Sequence, residues 1–223
     1  MLNPYLQIDG RPTMETTSEI DAALFSGPPV SLISGMPGGI VLFCGDAALW
    51  PLCAQMIGWR LARSERVLFL DGDNCFNPYP ISDLAKRIGR DRNLFLSSIF
   101  ISRAATCHQM TTLITRRLGA AIAQHRPRLV LLAEPLATFY DEAVSFTERK
   151  TLLSRAIRAL ARQAREGTWI VILTSPPPPS PRSASLLALL HNAADRRFSV
   201  QSNETEILIR EEGHPLSRRS GRS

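Results

Sequence analysis

The sequence is poor in almost everything that metal, redox or disulfide chemistry requires. Its four cysteines, Cys44, Cys53, Cys75 and Cys107, are scattered, and none forms a Cys-x-x-Cys pair. No histidine stands at zinc-finger spacing from them, and none of the four histidines has a partner at ligand spacing. The thiols therefore read as small buried hydrophobes, and no metal is expected. Lysine is nearly missing: of 26 basic residues only Lys86 and Lys150 are lysines. No apolar run approaches the roughly 20 residues that cross a bilayer, so no membrane contact is expected. The start, "MLNPYLQIDGRP", lacks the basic and apolar segments of a signal peptide, and a cytoplasmic protein is expected.

What remains is ordinary globular material, 44% hydrophobic and 21% charged, long enough at 223 residues for one sizeable core. The net charge of +6 permits contact with nucleic acid through phosphate neutralisation, without itself indicating it. Three regions are expected: a polar, flexible lead over 1–17, one core domain over 18–215, and a disordered basic tail over 216–223.

Within the core, "SEIDAALF" reads as a short capped helix, and "SGPPVSLISGMPGG" must be a loop. The segments "IVLFCG", "RVLFLDGDN", "RLVLLAEP" and "TWIVILTS" are short apolar runs that read as buried strands. "PLCAQMIGWRLARS", "ISDLAKRIG", "CHQMTTLITRRLGAAIAQH" and "SFTERKTLLSRAIRALARQARE" read as helices between them, and "LFLSSIFISRA" as a helix end leading into a strand. After the loop "PPPPSPRS" come the helix "ASLLALLHNA" and two strands, "DRRFSVQS" and "ETEILIRE". Strands apolar on both faces and alternating with helices demand a mainly parallel sheet covered on both sides, an α/β fold of three layers. The last two strands predict a C-terminal antiparallel hairpin.

The stretch "GGIVLFCGDAALWPLCAQMIG" has the chain order of a phosphate-binding loop: buried strand, tight turn, helix. Such a loop needs glycines for close backbone approach, a lysine for phosphate oxygens and a Ser or Thr for magnesium. After Gly45 this one offers Asp46, Ala47, Ala48, Leu49 and Trp50, with no G-K-[ST] in any register. Loss of ATPase activity is expected on that ground alone.

In order along the chain, "TTSEIDAALF", "GGIVLFCGDAALWPLC", "RVLFLDGDNCFNP", "IFISRAATCHQM", "RLVLLAEPLATFY", "WIVILTSPPP" and "AADRRFSVQSNETEILI" resemble the ATPase core of the RecA/RadA strand-exchange recombinases. The resemblance runs from Thr17 to Pro215 and implies the RecA-like fold. It puts Leu49 at the position of the Walker A lysine and Trp50 at that of its Ser or Thr. Ala133 falls at the Walker B aspartate, with Glu134 one residue later, and Asp73 falls where the family has its catalytic glutamate. Glu134, displaced by one residue, is expected to point to the opposite face of its strand and to be structural.

A helix N-terminus presents unpaired N–H groups and a positive dipole end, which a phosphate satisfies in this fold. Asp46 is expected to take that place and to repel an incoming phosphate, with Trp50 partly filling the vacated space. The competing reading puts Asp46 in an ordinary turn and Trp50 in the core. "DGDN", Asp71 to Asn74, reads either as a cation site or, in preference, as a polar turn ending a strand.

Arg155, Arg158, Arg162 and Arg165 recur at three- and four-residue intervals on one helical face. They read as a solvated face or as a stripe contacting DNA or a partner. "SPPPPSPRSAS" stands where the family has its second DNA-binding loop, but a polyproline run is stiff and only Arg182 is basic, which suits docking a protein. Arg218 and Arg219 in the tail read either as an electrostatic contact to nucleic acid or, by default, as part of an unstructured soluble end.

The function expected is that of a catalytically inactive RecA-like paralogue. It would act without a cofactor as an accessory or scaffold in DNA recombination or repair, with a RecA-family recombinase or other repair protein as partner. Side-by-side assembly is implied by the resemblance. Two other readings stay open: an atypical ATPase using Gly45, Asp73 and Glu134, and a DNA-binding module using its arginine surface.

Overall fold

The computed structural model describes residues 38–202 and 207–213. The lead, the "SEIDAALF" helix, most of the Pro- and Gly-rich loop, and the tail with Arg218 and Arg219 lie outside the described residues.

In chain order the elements are β1 (Gly39–Gly45), α1 (Leu49–Ala62), β2 (Val67–Asp71), α2 (Tyr79–Arg87), α3 (Arg92–Ser97) and β3 (Ile99–Arg103). There follow α4 (Cys107–Thr112), a π-helical turn (Leu113–Arg117), α5 (Leu118–His125), β4 (Leu129–Ala133) and a 3-10 turn (Pro135–Phe139). The chain continues with α6 (Phe146–Arg165), β5 (Trp169–Thr174), α7 (Pro181–Ala193), β6 (Arg196–Ser202) and β7 (Ile207–Glu211).

The seven strands form one sheet in the order β3-β2-β4-β5-β1-β6-β7. All neighbours pair parallel except β6 and β7, which pair antiparallel. The three-layer architecture and closing hairpin expected from the sequence are both present. β1, β2, β4 and β5 are the continuously apolar runs, and strand periodicity splits their side chains between two cores. Val41, Phe43, Phe69, Leu131 and Val171 meet α1, α2 and α3 on one side. Ile40, Leu42, Leu68, Val130 and Ile170 meet the helices from α4 onward on the other.

Four helix starts carry the side-chain caps that Ser, Thr and Asp supply to orphan N–H groups. Asp91 accepts from Leu94, Thr106 from Gln109, Ser145 from Glu148, and Ser180 from Ser183. α1 differs, because its cap residue is Ala48 and makes no side-chain hydrogen bond.

Two expectations are corrected. "CHQMTTLITRRLGAAIAQH" is not one regular helix, since the π turn interrupts it between α4 and α5. The Pro-rich loop is shorter than read: Ser180 caps α7 and Pro181 occupies its first turn, where a missing N–H costs nothing. Arg182 therefore belongs to a helix, with its guanidinium 6.0 Å from the ring centre of Phe146.

Candidate functional site: the turn between β1 and α1

In a parallel sheet, ligands bind beyond the carboxyl ends of the strands, where the strand order reverses. β1 lies between β5 and β6, so its C-terminal turn marks that place. Gly45 ends β1, and a Cβ there would land against the carbonyl oxygen of Val200 on β6. The glycine of the loop is thus accounted for by close approach of two strands, with no phosphate needed to explain it.

Asp46 spans the turn. One carboxylate oxygen accepts from the Ala48 N–H at 2.9 Å, and the other accepts from the Ser202 N–H and hydroxyl, each at 3.0 Å. These bonds hold its carboxyl below the usual carboxylate range, the Ser202 N–H contributing most. The Leu49 N–H donates to the Asp46 carbonyl at 3.1 Å and the Trp50 N–H to the Ala47 carbonyl at 3.4 Å. Pro51 has no N–H, and the Leu52 N–H returns to Ala48 at 3.3 Å. The donors from Ala48 to Leu52 are all spent inside the protein. Asp46 caps the preceding turn and pins it to β6, which is neither a true helix cap nor an idle loop residue.

Trp50 is half-buried, with its ring edge-on to Phe69 at 6.3 Å and to Phe76 at 6.1 Å. Its indole Nε1 is buried without a hydrogen-bond partner among the described residues. Leu49 is buried in the same core. Between this helix start and the ends of β4 and β5 lies a cavity of about 140 Å³, lined by Asp46, Trp50, Cys75, Ala133, Glu134 and Ser175, among others. Asp46 and Trp50 line this space and do not fill it. It is below the roughly 300 Å³ at which ligand pockets begin, and its lining contains two carboxylates and no cation.

The sequence places Glu134 on the face opposite Ala133, and the structure corrects this. Strand alternation ends at Ala133, because Glu134 turns left-handed, with φ 48° and ψ 44°. Its carboxylate reaches the same cavity and accepts from the Ser175 N–H at 2.9 Å and the Ser175 hydroxyl at 2.6 Å. The residue ties the end of β4 to the end of β5.

Asp73 is exposed and lies outside that lining. The organising carboxylate is its neighbour Asp71, which is fully buried. Its oxygens accept from the Cys75 N–H at 3.0 Å, the Phe76 N–H at 3.2 Å and Arg103 Nε at 3.3 Å. "DGDN" is thus a tethered polar turn. Beside Asp71, burial first and the carboxylate second push the Cys75 thiol up to about 12. Burial likewise raises Cys44, at the end of β1, to about 11. Sequence reasoning missed Asp71, Ser175 and Ser202 as tethers. A buried acid at a strand end was a visible signal for the first, whereas the serines act from distant strands.

Of the arginines, Arg155, Arg158 and Arg162 project from one face of α6, and Arg182 stands apart on α7.

Comparison with known proteins bears on this geometry. The Rad51 family model matches residues 51–188. Over 154 residues the chain is 29% identical to the meiotic recombination protein DLH1 of Candida albicans, covering 65% of this chain and 46% of that protein. It is 25% identical over 149 residues to the meiotic recombination protein DMC1 homolog A of Oryza sativa subsp. indica, covering 65% and 43%. With the DMC1 homolog B of Oryza sativa subsp. japonica it shares 29% over 114 residues, covering 49% and 33%. The chain spans under half the length of these curated relatives. A family match over more than half of the chain, on a sheet of this order, means that the chain belongs to the Rad51 family.

Proposed function

We propose that this protein takes part in DNA recombination as a RecA-like accessory or scaffold that has lost nucleotide chemistry and works through protein contacts. The family membership and the meiotic recombination proteins among its relatives support the recombination setting. The observation that carries the loss of chemistry is the start of α1. Its N–H groups from Ala48 to Leu52 bond to Asp46 and to the turn's own carbonyls, which withdraws those donors from a phosphate. Leu49 and Trp50 supply neither charge nor hydroxyl where a lysine and a magnesium ligand are required.

Asp46 and Glu134 add negative charge to the residual cavity, which opposes a triphosphate electrostatically. The frame itself is kept because strand, turn and helix are needed by the fold. A family recombinase or another repair protein is the partner class that this reading assigns. Affinity capture from the native host, using the full chain as bait, tests it. Recovery of a recombinase or repair protein is expected, undiminished when nucleotide is stripped from the extract and magnesium chelated. Capture that requires ATP bound to the bait would overturn the reading.

A further inference from the structure

Between β5 and α7 the chain runs "SPPPPS", Ser175 to Ser180, outside any helix or strand. A proline ring fixes φ near −65°, and a residue that precedes a proline is driven to extended ψ. Ser175, Pro176, Pro177 and Pro178 all precede a proline. Covalent sterics alone therefore set this stretch in the left-handed polyproline II helix. The Ser180 N–H donates to the Pro178 carbonyl at 2.7 Å, which bends the chain beyond the Pro179 ring and ends the extended run.

Both ends of the stretch are tied down. The Ser175 N–H and hydroxyl donate to the Glu134 carboxylate, and the Ser180 hydroxyl accepts from the Ser183 N–H at 3.1 Å as the cap of α7. Between these anchors Pro176, Pro178 and Pro179 are exposed, and Pro177 is half-buried. The carbonyls of Pro176 and Pro177 accept no hydrogen bond among the described residues. At three residues per turn, Pro176 and Pro179 fall on one edge, about 9 Å apart. The segment is a short rigid rod that faces solvent with free acceptors. From Pro176 to Pro179 it carries no N–H and no charge, so it has nothing to donate to a phosphate.

We propose that this segment docks a partner protein through an aromatic-lined groove of the kind that reads polyproline II ligands. Pro176 and Pro179 seat between the rings of such a groove, a proline pair at the spacing this recognition mode uses. The free carbonyls of Pro176 and Pro177 accept from the Trp N–H or Tyr O–H groups that line it. A segment held at both ends, with its φ angles fixed by covalent rings, loses little conformational freedom on binding, and this offsets its small size. The role names the partner's chemistry for the contact-based function proposed above and rests on that function.

The test titrates the full chain into a panel of purified, isotope-labelled SH3 and WW domains, whose grooves read polyproline II, and follows the domain resonances. Saturable binding that moves the groove aromatics is expected for at least one of the two classes. The variant P176A/P179A restores two N–H groups and frees two φ angles, and is expected to bind about tenfold or more weakly. R182Q, which removes the exposed charge beyond the bend, is expected to bind like the parent. A synthetic peptide of residues 174–183 should displace the full chain, and the same peptide with alanine at 176 and 179 should not, which covers the case of a misfolded variant. No binding to either class, binding that survives P176A/P179A, or equal loss in R182Q would each overturn the proposal. No nucleotide enters these titrations, so failure here leaves the lost nucleotide chemistry standing, and the nucleotide dependence of capture tests that reading separately.

Discussion

At the scale of single residues, the site is a set of tethers. Asp71 is the most consequential, since it alone satisfies the N–H groups of Cys75 and Phe76 from a fully buried position. Asp71→Ala strands those donors and is expected to cost about 2 to 3 kcal/mol, read from the urea midpoint. Gly45→Ala forces β1 away from Val200 and is expected to cost about 1 to 3 kcal/mol without altering any nucleotide response. His191 on α7 is partly buried, and desolvation lowers its pKa below the ordinary value of 6.5. The unfolded chain then binds that proton more readily. Stability therefore falls as pH drops below about 6.5 toward the folded pKa, and His191→Gln should flatten that part of the stability–pH curve.

At the scale of elements, the strands and most helices were legible because their apolar periods are strong. β1, β2, β4 and β5 are continuous apolar runs, and α6 begins at "SFTE", where the Ser145 hydroxyl accepts from the Glu148 N–H. Replacing Ser145 by Ala is expected to lower stability by about 1 kcal/mol. The π turn was not legible, because residues 107–125 keep an apolar spacing that fits an unbroken helix. Glu134 was misplaced for a related reason: alternation holds only while the backbone stays extended, and no residue type announces a left-handed turn at a glutamate. Asp46 was singled out from its position before α1, but its second partner was not. Ser202 is 156 residues away, and only the parallel pairing of β1 with β6 brings it near.

At the scale of the whole molecule, Cys53 and Cys107 lie buried in the core, whereas Cys44 and Cys75 are half-buried. Burial is the largest cause raising each of them: Cys44 to about 11, Cys75 to about 12, with Cys53 and Cys107 also above the ordinary value. At neutral pH all four stay protonated, so native protein should react with a thiolate-selective reagent far more slowly than the unfolded chain. The sheet order places the ends of β1, β4 and β5 around one cavity, as in a nucleotide-binding fold. The groups met there are two carboxylates, an indole, the Cys75 thiol, the Ser175 hydroxyl and aliphatic side chains, with no cation among them.

Thermal melting with and without Mg–ATP addresses that contrast most directly. A ligand held a hundredfold below its concentration adds about 2.7 kcal/mol, which for a chain of this size raises Tm by about 5 °C or more. No shift is expected at millimolar Mg–ATP. A rise of that size would mean that the turn between β1 and α1 still holds a nucleotide, against the proposed loss of nucleotide chemistry.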